Sequence, residues 1–264
     1  MGQTWAAMTD APPDATNPIA GGDPGDGVDR VPSSERAFYV DEFAGSTIVA
    51  ALVAAGQLDL AEAHAFALDE YVGLPVGHPE SYAEVIRRTV TEPLRLDPAR
   101  VHLPNGFAED LSTAGEAYEA AIAAAGGVDI QLLGVGTNGH VGFNEPSSSL
   151  GSRTRLKTLT RKTREDNARF FDSLEDVPKH CLTQGLGTIM AARHVILVAQ
   201  GAGKAEAIAA VVEGPITAMV PGSVLQWHPH ATIVIDEDAA AGLTLTEYYR
   251  ETFAHKPDWQ AYAR

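Results

Sequence analysis

From residue 114 onward, segments with helical spacing alternate with short apolar runs, and this alternation constrains the fold more than any other feature of the chain. Ala114, Tyr118, Ala121, Ile122 and Ala125 mark one face of a helix that Gly126 and Gly127 close, and residues 128–135 follow as a central strand. A helix near residues 185–192, a strand at 194–199, a helix at 204–212 and a strand at 231–235 repeat the pattern. Upstream, the small-residue turn at 44–47 opens a helix bearing Ile48, Ala51, Leu52 and Ala55, and residues 64–68 read as a short buried strand ending at Asp69. Strands that alternate with helices pair in parallel through right-handed crossovers. The expected fold is therefore α/β, an open, mainly parallel, Rossmann-like sheet with helices on both faces, whose ligands bind beyond the carboxyl ends of the strands.

With 264 residues and 45% hydrophobic content, the chain suits one domain, expected over residues 36–264. Residues 8–34 are rich in Pro, Gly, Asp and Ala with almost no apolar periodicity, which predicts a disordered tail over residues 1–35 whose removal leaves stability unchanged. The N-terminal portion is in this respect atypical. A net charge of −16 repels the nucleic-acid backbone and anionic membrane surfaces, so neither is an expected partner. No apolar run reaches the roughly 20 residues of a membrane helix. Cys181 is the only cysteine, which rules out an internal disulfide or a thiolate metal cluster and fits a cytoplasmic protein.

Three runs carry candidate chemistry. Residues 134–146, GVGTNGHVGFNEP, directly follow a strand; Gly134, Gly136 and Gly139 let the backbone approach a ligand, while His140 and Glu145 supply ionisable groups. Spacing alone leaves a glycine-rich turn with a solvated His equally open. A dinucleotide loop fits poorly, because Val141, Phe143 and Pro146 follow where a helix is required. Residues 68–75, LDEYVGLP, place Asp69 at a strand end, where a carboxylate is either a general base for a proton next to a carbonyl or a turn cap. Arg153, Arg155, Lys157, Arg161, Lys162, Arg164 and Arg169 lie close together among serines in an acidic chain, a pattern for phosphate or for a solvated helical face.

Together these runs resemble the glucosamine-6-phosphate deaminase family. The similarity extends from about Asp59 to Tyr249 and includes LDEYVGLP with HPESY, GVGTNGHVGFNEP, SRTRLKTLT with TREDNARFFD, LTQGLGTI, and VEGPITAMVPGSVLQWHP, in family order. The resemblance implies a hydrolase acting on an amino sugar phosphate, which turns glucosamine 6-phosphate into fructose 6-phosphate and ammonia without cofactor or metal. It implies that Asp69 moves a proton between C2 and C1, that His140 opens the sugar ring, and that Glu145 orients the imidazole and supports its protonated form. Asn138, where many members have Asp, would only hydrogen-bond. Gly45, Ser46 and Thr47 correspond to the phosphate cradle, with Ile48 in place of a usual Pro; Arg169 and Lys204 correspond to the other phosphate ligands. Ser148, Arg155 and Lys157 match positions of an allosteric site at a subunit interface, which admits a homo-oligomer. Two further readings are a catalytically weakened sugar-phosphate-binding protein and a 6-phosphogluconolactonase-like hydrolase; the FNEP and DEYVGL runs count against the second.

Overall fold

The computed structural model describes residues 4–8, 37–39 and 45–257. In chain order its strands are β1 (Thr4–Met8), β2 (Ala37–Tyr39), β3 (His64–Phe66), β4 (Asp69–Val72), β5 (Val101–His102), β6 (Ile130–Leu133), β7 (Arg155–Thr158), β8 (His180–Thr183), β9 (His194–Ala199) and β10 (Ala231–Asp236). Its α-helices are α1 (Gly45–Ala54), α2 (Tyr82–Ile86), α3 (Leu111–Ala124), α4 (Arg161–Asn167), α5 (Leu186–Ile189), α6 (Ala205–Val212), α7 (Glu237–Ala240) and α8 (Thr246–Ala254).

Seven strands form one sheet in the order β1-β10-β9-β6-β2-β3-β5, and every pairing in it is parallel. This is the open, Rossmann-like α/β sheet that the alternation predicts. Local chemistry sets its elements. Asp110 caps α3 by accepting a hydrogen bond from the Ser112 N–H, and the helix stops where Gly126 and Gly127 take positive φ, a conformation that suits a residue without Cβ. Helix α6 buries Ala207, Ile208, Val211 and Val212 at helical spacing. Phe66, Leu133, Leu197 and Ile233, from four strands of the sheet, share this core almost without exposure, each stabilising the fold by about 1.5–3 kcal/mol.

The structure departs from the sequence reading in three places. Thr4–Met8, inside the segment expected to be a disordered tail, is a strand that pairs with β10 from Thr4↔Thr232 to Met8↔Asp236. The rest of that expectation, residues 1–3 and 9–35, lies outside the described residues. A second sheet, β4-β8-β7, is antiparallel and has no counterpart in the reading. Asp69 opens this sheet, three residues beyond the end of β3, and does not terminate a parallel strand.

Candidate active site

The chain builds the main sheet outward from β2 through β3 and β5, then returns and builds outward on the other side through β6, β9 and β10. Where the order reverses, successive crossovers lead to opposite faces and leave a crevice beyond the carboxyl ends. A cavity of about 580 Å³ is lined by the segments that follow these ends: Asp69 after β3, residues 134–137 and His140 after β6, and Val198, Ala199 and Gln200 at the end of β9. Lys204, just before α6, and Thr163, Asp166, Asn167 and Arg169, on α4 and the turn after it, also line it. Helix α1 begins at Gly45, so Gly45, Ser46 and Thr47 form its first turn, shortly after β2.

The glycine-rich run folds as a loop and not as a nucleotide-binding helix start. The Gly139 N–H donates to the Gly136 carbonyl at 2.9 Å, the Gly136 N–H donates to the His140 carbonyl at 2.9 Å, and Gly139 has φ of +79°. A Cβ on Gly136 would lie 2.1 Å from Cε1 of His140, so only glycine lets the imidazole rest on this backbone. Asn144, fully buried, ties the loop to its neighbours by donating to the carbonyls of Val141 and Gln184.

Within this loop three side chains form a relay. Glu145 Oε2 accepts from Asn138 Nδ2 at 2.9 Å, and Asn138 Oδ1 lies 2.6 Å from His140 Nδ1. A carboxylate only accepts, so the amide must turn its NH2 toward Glu145 and its carbonyl toward His140. The neutral imidazole then carries its proton on Nδ1 and a lone pair on Nε2. The sequence reading gave Glu145 the task of orienting the ring, but its carboxylate is 3.7 Å from Nδ1 and Asn138 is the direct partner. Nor is the protonated ring favoured: burial, joined by the charge of Lys204, pushes the His140 pKa below the usual imidazole range, although Glu145 and Asp166 pull upward. The other oxygen of Glu145 is held from α4, receiving the hydroxyls of Thr163 and of Thr160, the latter at 3.2 Å.

Asp69 is 3% exposed, pairs in register with Thr183 and lines the cavity. Its neighbour Glu70, on the opposite face of β4, is used structurally. Its carboxylate accepts the N–H groups of Tyr71, Tyr82 and Ala83, and burial raises its pKa against those hydrogen bonds. Strand alternation thus separates the two adjacent carboxylates into different jobs.

Lys204 donates from Nζ to the Val135 carbonyl at 2.6 Å; burial and then the nearby Arg169 lower its pKa, while Asp166 opposes them. Arg169 and Lys204 therefore form a paired cationic corner of the cavity. The remaining basic residues do not converge there. Arg161 and Lys162 pair with Glu165 and Asp166 one turn along α4, Arg164 donates to the carbonyls of Leu174 and Val177, and Arg153 pairs with Glu119. The clustering in sequence reflects these separate contacts. Ser148 is buried in the loop, and Arg155 and Lys157 alternate onto one face of β7; none of the three lines the cavity. Thr163, Asp166, Asn167 and Tyr82 were not read from the sequence as site residues, although the Thr160–Thr163 spacing marks a helix start that turns α4 toward Glu145.

Among the described residues no group of three or more His, Cys, Asp or Glu is set to hold a metal, and no helix is long and apolar enough to cross a membrane.

A family model described as glucosamine-6-phosphate isomerases/6-phosphogluconolactonase matches residues 44–234. A glucosamine-6-phosphate deaminase of Pseudarthrobacter chlorophenolicus is 64% identical over 203 residues, 77% of this chain and 78% of that one. One from Streptomyces coelicolor is 60% identical over 213 residues, 80% of this chain and 82% of its own. A solved monomeric glucosamine-6-phosphate deaminase is similar with a TM-score of 0.76 at 36% identity, over 78% of this chain and 88% of that chain. A 6-phosphogluconolactonase from Trypanosoma cruzi, at TM-score 0.60 and 21% identity over 80% of this chain and 85% of its own, shares the fold.

Proposed function

This chain belongs to the family of glucosamine-6-phosphate isomerases and 6-phosphogluconolactonases, and we propose that within it the chain is a glucosamine-6-phosphate deaminase. The observation that carries this reading is a single cavity that joins a buried carboxylate, a neutral imidazole with its lone pair on Nε2, and a pair of cations. In the proposed reaction the sugar phosphate sits with its phosphate toward Arg169, Lys204 and the first turn of α1, where the N–H groups of Gly45, Ser46 and Thr47 and the helix dipole favour an anion. Nε2 of His140 takes and returns the proton that moves as the pyranose ring opens. Asp69 then removes the proton from C2, next to the C1 aldehyde, and delivers it at C1, which leaves an imine at C2. Water adds to that imine and ammonia leaves, giving fructose 6-phosphate.

Isomerisation is the step for which the family is named, and the hydrolytic release of ammonia is part of the same proposal. So are cytoplasmic action, supported by the one buried thiol of Cys181, and a homo-oligomer in which Ser148, Arg155 and Lys157 meet an effector phosphate. Incubation with glucosamine 6-phosphate should release ammonia and fructose 6-phosphate in equal amounts. Binding without turnover, or hydrolysis of a 6-phosphogluconolactone in its place, would replace this reading.

A further inference from the structure

Glu145 is held at both ends of its carboxylate, and the grip on the far oxygen comes from another element. Oε2 faces Asn138 and His140, while Oε1 receives the hydroxyls of Thr163 and Thr160. The two threonines are not equivalent. Thr160 caps α4 by accepting from the Thr163 N–H at 3.1 Å, and its one hydroxyl proton is divided between Thr163 Oγ1 at 3.0 Å and Glu145 Oε1 at 3.2 Å. Thr163 points its own hydroxyl proton at Glu145 alone, and it is 5% exposed, so water does not readily replace it.

From this geometry we infer that Thr163 is a positioning residue for the proton relay, acting through Glu145. Its hydroxyl holds the carboxylate so that Oε2 stays aimed at the Asn138 amide. That aim, at 2.9 Å the shorter of the two bonds that orient the amide beside the His140 N–H on Oδ1 at 3.2 Å, sets which way the amide faces, and the amide in turn fixes the His140 tautomer. An amide released from Glu145 keeps only the His140 backbone N–H, which donates to Asn138 Oδ1 at 3.2 Å, to hold its direction. Where that longer bond gives way the NH2 turns toward His140 Nδ1, which then must be an acceptor; the ring proton moves to Nε2 and the base facing the cavity is lost. The contact also ties the relay to the cationic corner, because the same helix and the turn after it carry Asp166, Asn167 and Arg169 to the cavity, and Asn167 donates to the Tyr71 hydroxyl at 3.1 Å. The role as stated rests on the deaminase reading, while its effect on the tautomer does not.

Thr163→Val keeps the branched shape and removes the hydroxyl. For glucosamine 6-phosphate its kcat is expected to fall roughly ten- to hundredfold, the scale for residues that orient a reacting group, with KM within about twofold. Thr163→Ser should restore most of the rate despite losing a methyl. The imidazole 15N and 1H shifts of His140, assigned by comparison with His140→Gln, should report Nδ1–H in the unsubstituted protein and in Thr163→Ser, and an Nε2–H population in Thr163→Val. If Thr163→Val does not fold, Thr163→Ala removes the same hydroxyl without added bulk and is measured in its place. An unchanged His140 tautomer in the hydroxyl-free variant, or a Ser variant as slow as the hydroxyl-free one, overturns the role. Should the unsubstituted protein release no ammonia, the deaminase reading falls, and the tautomer measurement still decides Thr163.

Discussion

Gly136 lies directly under the His140 imidazole: a Cβ at residue 136 would stand 2.1 Å from Cε1, 2.4 Å from Nδ1 and 2.5 Å from Nε2 of that ring. The first prediction follows from this contact. In Gly136→Ala the ring is the part free to move, so it leaves its place against Asn138 while the loop backbone stays. We expect kcat to fall by about a hundredfold, the cost of misplacing a reacting group by an ångström, with the Tm lowered by only a few degrees. Steady-state kinetics beside a thermal melt checks both; an unchanged kcat shows that the ring is not needed where it lies.

Asp69→Asn keeps the size of the side chain and removes its ionisable carboxyl. Exchange of the C2 proton of glucosamine 6-phosphate with solvent deuterium should slow by at least about a hundredfold, while substrate affinity stays within a few-fold. Wild-type exchange in the variant would remove Asp69 from the role.

Lys204→Ala and Arg169→Ala should each raise the KM for glucosamine 6-phosphate by roughly ten- to a hundredfold, the worth of one charge-assisted hydrogen bond. Binding of unphosphorylated glucosamine should change little. Equal losses on both sugars would assign the two cations to stability instead of phosphate.

His64 and His102 give an acid-sensitive point at the sheet edge. Their ring planes differ by 3°, their centroids are 5.3 Å apart, and Nδ1 of His64 is 3.0 Å from Nε2 of His102. These distances are met only when the rings lie edge to edge in one plane, sharing one proton. Burial, and then His64, lowers the His102 pKa. The unfolded chain therefore binds this proton first on acidification, and the contribution to stability, complete above about pH 6.5, is lost as pH falls through the lower folded value. Urea unfolding from pH 8 to 5 should show a shallower decline for His102→Gln; an identical slope would exclude the pair as a source.

Deleting residues 1–34 removes β1, so the Tm should drop by several degrees, against the neutral outcome that composition suggests. The KM for glucosamine 6-phosphate should stay the same, since β1 lies at the sheet edge beyond β9 and β10, away from the β2–β6 reversal. An unaltered melt would mean that β1 adds nothing to stability.

Much of the fold was legible because burial imposes periodicity. Strand β9 falls on residues 194–199 as read, β10 and α6 differ from the reading by one residue at an end, and the glycine run is a loop that lines the cavity. Strand β1 was hidden because TWAAM is only five residues, directly ahead of a proline- and glycine-rich stretch, and pairs with a strand at the other end of the chain. The antiparallel sheet was hidden because β7 reads as RLKT, part of a basic run, with Leu156 43% exposed. At the site, motif residues such as Asp69 and His140 stood out, but which of Asp69 and Glu70 faces the cavity depends on strand phase. The contact of Thr163 with Glu145 depends on where α4 docks, which no local pattern records.

The partnership of β1 with β10 has a consequence for synthesis. Thr4 leaves the ribosome more than 200 residues ahead of its partner Thr232. Until then the outer edge of the growing sheet is open, first at β9 and then at β10, an exposed template for pairing with another chain. Closing that edge joins residues at opposite ends of the sequence, a slow kind of contact to form. The β1–β10 pairing thus depends on a peptide made long before its partner, and completion of the sheet waits for the synthesis of β10.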